Sequence, residues 1–333
     1  MKNLKRNSFI ILIVTLFVLF LVLKDDYKNI IAIITTMDIK FVLIAVILYI
    51  AYLFFHALVN YLWVNEKEKL SLPQAFQHMI ITQFFNGITP FSTGGQPMEI
   101  YMLKNHGFRY TKATNVIMQN FIVYQIALVL LGIIAITYNF IFHVFQESGL
   151  LRDLTTIGFL INTLVTVGLF VIAFAKKFNQ FIIKKLVSLL YKLHIVKNKE
   201  TTMDKMSDSI ENFHDGAKLL MSDQKSFVYN IFLNFLSLIC LYLVPLTIAY
   251  SMGVFDSFTG IESIVSSAYV MLIGAFVPIP GGTGGLEYSY MAFYGNFLKG
   301  SILNASMIMW RFLTYYLGMI IGAITLNLKE RKK

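Results

Sequence analysis

The sequence predicts an all-α polytopic membrane protein with about six full transmembrane helices and two oppositely oriented re-entrant hairpins that form an inverted repeat. Three observations support this fold class. The 333 residues are 57% apolar and 14% charged, whereas soluble domains carry about 25% charged residues. Two apolar stretches are interrupted by proline and glycine. Lysine and arginine gather in segments that one orientation places in the cytoplasm.

Six apolar segments come close to the length of about 20 residues that a helix needs to cross a bilayer. They are predicted at 8–23, 41–64, 114–142, 156–175, 227–252 and 302–328. The first is slightly short and resembles a signal peptide, but no small-residue cleavage site follows it, which favours an uncleaved helix. Residues 24–40, between the first two segments, are predicted as a loop.

Two further apolar segments, 72–103 and 261–298, are predicted as hairpins because they contain helix-breaking residues. Broken backbone inside a bilayer persists only where it is packed in protein or lines a wet cavity. The breaks are assigned to Pro90, Gly94, Gly95 and Pro97 in the first hairpin, and to Pro278, Pro280, Gly281, Gly282, Gly284 and Gly285 in the second.

The two hairpins share a sequence motif. Aligning Pro90 with Pro278 without a gap superposes Glu99 on Glu287, and both copies then read P-x3-G-x4-E at a separation of 188 residues. We therefore expect two related halves within one membrane domain. The domain is 1–333, and the predicted repeats are 41–142 and 226–328.

The positions of the basic residues indicate an orientation. With a cytoplasmic amino terminus, cytoplasmic segments hold 22 of the 28 Lys and Arg residues, and external loops hold five. This distribution follows the positive-inside rule and places both termini on the cytoplasmic side of the cell membrane. Three full spans then separate the hairpins, so the first enters from the cytoplasm and the second from outside. Inverted repeats of this kind are typical of secondary transporters.

Residues 176–225 form the one extended hydrophilic region and carry ten lysines. Its first part mixes lysines with apolar residues, which predicts an interfacial helix on anionic lipid headgroups. Its second part has apolar residues at 3-4 spacing, which predicts an amphipathic helix packed on the membrane domain or a short coiled-coil seam. The region is also a candidate docking surface for a partner protein or a second copy of the chain.

Three charged residues are candidates for chemistry within the membrane. Glu99 and Glu287 follow the breaks, so each is predicted in the first turn of a half-helix, where the dipole stabilises a carboxylate by about 0.3–1 kcal/mol. Each glutamate caps its own helix, or faces a cavity and binds a cation or an amine, or does both. Arg311 lies inside the last predicted span, at a cost of about 2.5–3.5 kcal/mol unless it is paired or wetted. It either faces a glutamate or a lipid phosphate, or reaches out to the outer surface.

Three further polar residues are weaker candidates for binding. Gln96 either lines a cytoplasmic vestibule or satisfies the broken backbone of the first hairpin. Lys104 and Arg109 lie at the mouth of that hairpin, where they either receive a phosphate or serve as ordinary basic flanking residues.

Several other classes of site lack the residues that they require. The single cysteine, Cys240, excludes a disulfide framework. The six histidines form no i, i+4 pair, so no metal is expected. The glycine-rich run 281–285 lacks the lysine of a phosphate-binding loop. We therefore expect no cofactor and no enzymatic activity. The net charge of +10 also does not indicate a nucleic-acid partner, because the basic residues are distributed as the positive-inside rule predicts.

These motifs resemble a known family. PFSTGGQP at 90–97 with Glu99 resembles the first signature of the lysylphosphatidylglycerol synthase transmembrane family, also called flippase-like. PIPGGTGG at 278–285 with Glu287, followed by Arg311 and Tyr315, resembles the second. The resemblance implies a membrane unit that moves an aminoacylated phospholipid between leaflets, with these residues at its matching positions. In two-domain members a separate soluble domain makes that lipid. This sequence ends at Lys333 without one, so lysyltransferase activity is not expected.

The expected function is translocation of a phospholipid or another lipid-linked headgroup between leaflets. The expected partners are membrane lipids, either anionic or aminoacylated. Two alternatives remain open at this point. One is a carrier or channel for a small ion or solute. The other is an accessory subunit of a lipid-modifying system that docks through 176–225.

Overall fold

The structure is a computed structural model that describes residues 27–64, 70–145, 149–192, 196, 198–274 and 277–331. All regular elements in these ranges are helical. The α-helices are α1 Tyr27–Thr35, α2 Ile39–Val64, α3 Leu72–Gly87, α4 Gly95–Asn105, α5 Tyr110–Phe142, α6 Gly149–Phe174, α7 Lys176–Lys192, α8 Lys199–Ser222, α9 Gln224–Ser251, α10 Gly260–Gly274, α11 Gly285–Tyr294, α12 Gly300–Arg311 and α13 Leu317–Arg331. A π-helical segment, Phe312–Tyr316, joins the last two helices.

Five helical stretches within the described residues are long and apolar enough to cross a membrane. They are Ile39–Val64, Tyr110–Phe142, Gly149–Ile172, Gln224–Ser251 and Gly300–Asn327. Large apolar side chains on these helices face outward, among them Ile47, Phe140 and Leu164. An apolar exterior of this extent is suited to lipid, so the chain is a multi-pass membrane protein. The first predicted span, 8–23, lies outside the described residues.

The prediction of a loop at 24–40 is wrong, because most of it is helical. The helix α1 packs against α12, and its Ile30 is fully buried. The charged residues in this segment suggested a loop, but Ile30, Ile33 and Ile34 share one helical face. On this face Ile30 is buried and the other two are half-buried. The start of α6 is also earlier than predicted, since Arg152 and Asp153 lie within the helix.

The centre of the bundle is the long interface between α2 and α9, the first helix of each predicted repeat. Each hairpin then packs on helices of the other repeat. The helix α3 lies against α13, and α10 lies against α5. The two halves are therefore interleaved rather than placed side by side.

Glycines bring α13 close to its neighbours. A Cβ on Gly322 would lie 2.6 Å from the carbonyl oxygen of Ile80 on α3, and a Cβ on Gly318 would lie 2.3 Å from the hydroxyl oxygen of Tyr49 on α2. Gly318 and Gly322 are four residues apart, which is the small-x3-small spacing that lets membrane helices approach closely.

Replacement of Gly322 by alanine is expected to push α13 away from α3 and to destabilise the protein by about 1–3 kcal/mol, as overpacking does. The thermal unfolding midpoint of purified protein checks this. The matched control is Gly168→Ala in α6, where a Cβ would meet nothing within 4 Å. That control should unfold at or slightly above the wild-type temperature, since alanine is the better helix former. Equal midpoints for both variants would contradict the close packing.

The hydrophilic region folds as two helices, α7 and α8, that pack on each other. On α7, Ile183 and Val187 are buried, while Phe181, Leu186 and Lys185 are exposed. The ammonium group of Lys185 lies 4.6 Å from the centre of the Phe181 ring. An exposed face that mixes aromatic and basic side chains has the composition of a helix that lies on a membrane surface.

Candidate functional site

Two broken hairpins meet at their tips. The first hairpin consists of α3 and α4, joined by the 3-10 turn Pro90–Ser92 (the first tip). The second consists of α10 and α11, which pack on each other and are linked through the 3-10 turn Pro280–Gly282 (the second tip). The two tips contact each other. Helices α4 and α11 both begin just after these turns, so their positive dipole ends lie near the contact between the tips.

The tips share a backbone path that differs from the predicted register by two residues. Phe91 has φ 53° and ψ 17°, and Gly281 has φ 66° and ψ 11°. In both tips a threonine hydroxyl donates to the first proline carbonyl at 3.0 Å, from Thr93 to Pro90 and from Thr283 to Pro280. The structural repeat is therefore P-x2-T-G-G at a separation of 190 residues, and the gapless 188-residue register is wrong for the tips.

Several assigned break residues are already helical. Gly95 is the first residue of α4, Pro97 is the third, and Gly285 is the first residue of α11. Proline is tolerated in a first helical turn because the N–H groups there have no intrahelical partner. The break of the first hairpin therefore lies at Pro90–Gly94.

The second tip requires glycine for two reasons. Gly281 adopts a left-handed φ of 66°, and a Cβ there would lie 2.3 Å from the ring of Tyr315. Gly284 has φ 89°, another conformation that side chains with a Cβ rarely adopt. That conformation directs its N–H to Oε2 of Glu287, at 2.7 Å. The glutamate therefore caps α11 through one carboxylate oxygen.

The other oxygen of Glu287 pairs with Arg311. Its Oε1 lies 2.7 Å from Nε of the arginine, although that N–H does not align with the oxygen, so the contact is an ion pair rather than a hydrogen bond. Nη2 of Arg311 donates to the carbonyl of Gly281 at 3.0 Å. Arg311 is 4% exposed, which rules out the alternative that it reaches the outer surface. The prediction that it faces a glutamate is confirmed.

Aromatic packing fixes this ion pair in place. The rings of Tyr290 and Trp310 stack at 4.8 Å, and the ring of Tyr294 stacks on the other side of Tyr290 at 4.3 Å. The guanidinium of Arg311 lies 4.3 Å from the centre of the Tyr315 ring. The Tyr315 hydroxyl in turn donates to the carbonyl of Gly87 at 2.9 Å. This residue thereby connects the second tip to the end of α3 in the first hairpin.

Glu99 has different surroundings from Glu287. It is the fifth residue of α4, so the prediction that it lies in the first turn is wrong, and it does not cap the helix. Glu99 is 5% exposed. Oε1 accepts hydrogen bonds from Thr82 at 3.2 Å and from Asn60 at 3.5 Å. Both donors are neutral, in contrast to the guanidinium beside Glu287.

A cavity of about 540 Å³ lies between the hairpins and the helices α2, α5 and α6. This volume lies in the range of roughly 300–1,000 Å³ that is common for ligand sites. Four of the predicted site residues contribute to its wall, namely Gln96, Glu99, Arg311 and Tyr315. Glu287 is not in the wall and lies behind Arg311. Lys104 and Arg109 are exposed and also lie outside the wall.

The structure adds wall residues that were not predicted from sequence. Tyr52, His56 and Tyr124 form an aromatic side of the cavity, in which the His56 and Tyr124 ring centres lie 5.5 Å apart. Asn120 lies in the same wall. Nδ1 of His56 is buried without a hydrogen-bond partner. Polar side chains within long apolar helices were the available signal, but single residues of this kind are too common to indicate a site.

The fold and the cavity define a class of protein. Apolar helices surround two broken hairpins whose irregular backbone is packed in protein or lines a cavity, as in multi-pass membrane proteins. The chain belongs to the family described as the lysylphosphatidylglycerol synthase TM region, whose model matches residues 8–322. This match includes both hairpins, the π-helical segment and every residue of the cavity wall.

A curated relative supports the membrane assignment. The chain is similar to a "UPF0104 membrane protein" of Archaeoglobus fulgidus, with 24% identity over 269 residues. The alignment covers 78% of this chain and 77% of the relative.

Proposed function

We propose that the protein translocates a lipid between the leaflets of the cell membrane, with the polar headgroup in the cavity and the acyl chains in the bilayer. The observation that carries this proposal is the cavity itself, whose wall presents a carboxylate at Glu99 and a guanidinium at Arg311. Its volume of about 540 Å³ lies in the range that is common for small polar ligands. The family supports a lipid substrate, and transport rather than catalysis is the proposed activity.

The proposed topology has six full spans and two re-entrant hairpins that enter from opposite faces. Five spans lie among the described residues, and 8–23 would supply the sixth. The distribution of lysine and arginine supports cytoplasmic termini. In this topology the two tips meet near the bilayer midplane, which is where secondary transporters bind their substrates.

The charges in the cavity indicate how a headgroup would bind. The charge of Arg311 is balanced by Glu287, while its face toward the cavity remains part of the wall. A lipid phosphate would compete with Glu287 for the guanidinium, whose planar donors suit phosphate oxygens. The hydrogen-bond partners described for Glu99 are both neutral. Glu99 is therefore the group that would bind an amine. A headgroup that carries both a phosphate and an amine matches this pair.

A carrier for a small cation is the second candidate function. Glu99 and the aromatic side of the cavity favour it, because carboxylates and aromatic faces both attract cations. Such a carrier would move its ion without moving lipid.

A leaflet assay on purified protein in liposomes tests the proposal. Fluorescent phosphatidylglycerol, its lysylated form and a polyprenyl phosphate analogue are supplied in separate experiments, and the labelled lipid in the outer leaflet is quenched chemically. We expect accelerated exchange of one of these lipids relative to protein-free liposomes. Unchanged exchange of all three by folded protein would contradict the proposal. Uptake of a cation under those conditions would support the second candidate.

A further inference from the structure

Glu99 is the end of a chain of buried asparagine side chains. Nδ2 of Asn60 on α2 donates to Glu99, Nδ2 of Asn120 on α5 donates to Oδ1 of Asn60 at 2.7 Å, and Nδ2 of Asn234 on α9 donates to Oδ1 of Asn120 at 3.5 Å. The three asparagines are between 0% and 7% exposed. These hydrogen-bonded asparagines (the asparagine chain) therefore lie on three transmembrane helices and connect them to the carboxylate on α4.

The direction of these hydrogen bonds follows from the chemistry of the carboxylate. An ionised carboxylate can only accept, whereas an amide donates through nitrogen and accepts through oxygen. Asn60 must therefore turn its nitrogen to Glu99 and its oxygen to Asn120. Asn120 must in turn point its nitrogen toward Asn60, and Asn234 must point its nitrogen toward Asn120. A protonated Glu99 could donate through its own hydroxyl, and the requirement would disappear.

We propose that Asn60, Asn120 and Asn234 are positioning residues that hold Glu99 ionised within the cavity. Three amide dipoles point their positive ends toward the carboxylate, and aligned hydrogen bonds in a low-dielectric interior strengthen one another. A buried charge without a partner costs several kcal/mol. No cation is among the hydrogen-bond partners described for Glu99, so the asparagine chain supplies the stabilisation that a cation would otherwise give. Oδ1 of Asn234 is buried and has no hydrogen-bond partner, so the chain has its free acceptor at the end farthest from Glu99.

Other ionisable groups lie on the helices that pack around Glu99. The cavity wall brings Tyr52 and His56 from α2, Tyr124 from α5, and Arg311 from α12. Arg311 is already paired with Glu287. On α3, the ring of His78 lies 4.9 Å from that of His106, which follows α4. The hydrogen bonds described for the carboxylate come from Asn60, the first member of the asparagine chain, and from Thr82.

The ionisation of Glu99 can be measured without a substrate. Infrared spectra of the reconstituted full-length protein are recorded over a pH series. The band of the protonated carboxyl is assigned to Glu99 by its absence in Glu99→Gln. In Asn120→Ala we expect the pH of half-protonation to rise by about one unit or more, a tenfold change in proton affinity. Asn120→Gln, which keeps the amide, should restore part of the difference.

The matched control is Asn179→Ala. Asn179 on α7 is 3% exposed, as Asn120 is, but it donates to the backbone carbonyl of Ile172 and lies outside the cavity wall. Its variant should titrate like the wild type. If Asn120→Ala does not fold, Asn234→Ala is expected to give a smaller rise. If the variant that folds, Asn120→Ala or Asn234→Ala, titrates like the wild type, the proposal is overturned. Because no lipid is involved, this result is independent of whether the protein translocates lipid.

Discussion

Replacement of Arg311 by alanine is expected to abolish lipid translocation and to lower the free energy of unfolding by about 3–5 kcal/mol. The loss of stability arises because Glu287 would remain buried without its cation, which costs more than the ion pair contributes. The loss of transport arises because the wall would lose its only described guanidinium. Thermal unfolding and the leaflet assay measure the two effects separately.

The double variant Arg311→Ala with Glu287→Gln separates a binding role from a structural one. The neutral glutamine retains a carbonyl oxygen for the N–H of Gly284, which Glu287 accepts in the wild type. We expect it to recover much of the lost stability without recovering transport. Arg152→Ala, at a side chain that is 71% exposed, is the control for loss of an arginine. Full transport by the double variant would show that Arg311 does not contact the headgroup.

Replacement of Glu99 by glutamine is expected to reduce translocation at least tenfold while leaving the unfolding temperature at or above that of the wild type. Glutamine keeps an oxygen that can accept from Asn60 and Thr82, and it removes a buried charge whose desolvation is costly. The result would distinguish a functional carboxylate from one that only satisfies hydrogen bonds. A loss of about tenfold corresponds to about 1.4 kcal/mol at the transition state.

Glu200→Gln is the matched control for this variant. Glu200 lies in the first turn of α8 and is exposed, so the same chemical change there should leave transport unchanged. Normal transport by Glu99→Gln would remove Glu99 from the translocation pathway. It would leave the infrared test of the asparagine chain unaffected, because that test measures the carboxyl group of Glu99 directly.

Much of the fold follows from local sequence patterns. The apolar lengths predicted the five spans that the structure describes, since hydrophobic length is a local property. Proline and glycine located both hairpins, because the conformational limits of these residues also act locally. The segment 24–40 was mispredicted, because the burial of Ile30 depends on a contact with α12, which is distant in sequence.

The register of the repeat illustrates a limit of sequence alignment. A gapless match of proline, glycine and glutamate gave a separation of 188 residues, whereas the backbone torsions of Phe91 and Gly281 correspond at 190. Phenylalanine gives no sequence signal for a left-handed conformation, since this conformation is uncommon outside glycine. The two glutamates therefore occupy different positions in their helices, and their roles differ accordingly.

Sequence patterns alone establish a multi-pass helical membrane protein with two broken hairpins, and they indicate that Arg311 needs a partner if it is buried. Hydrophobic length, helix breaking and the cost of a buried charge are properties of short segments or single residues. The pairing of Arg311 with Glu287, and the hydrogen bonds that link Glu99 to asparagines on three other helices, are visible only in the folded structure. Those contacts join residues far apart in sequence, and helix packing alone brings them within hydrogen-bonding distance.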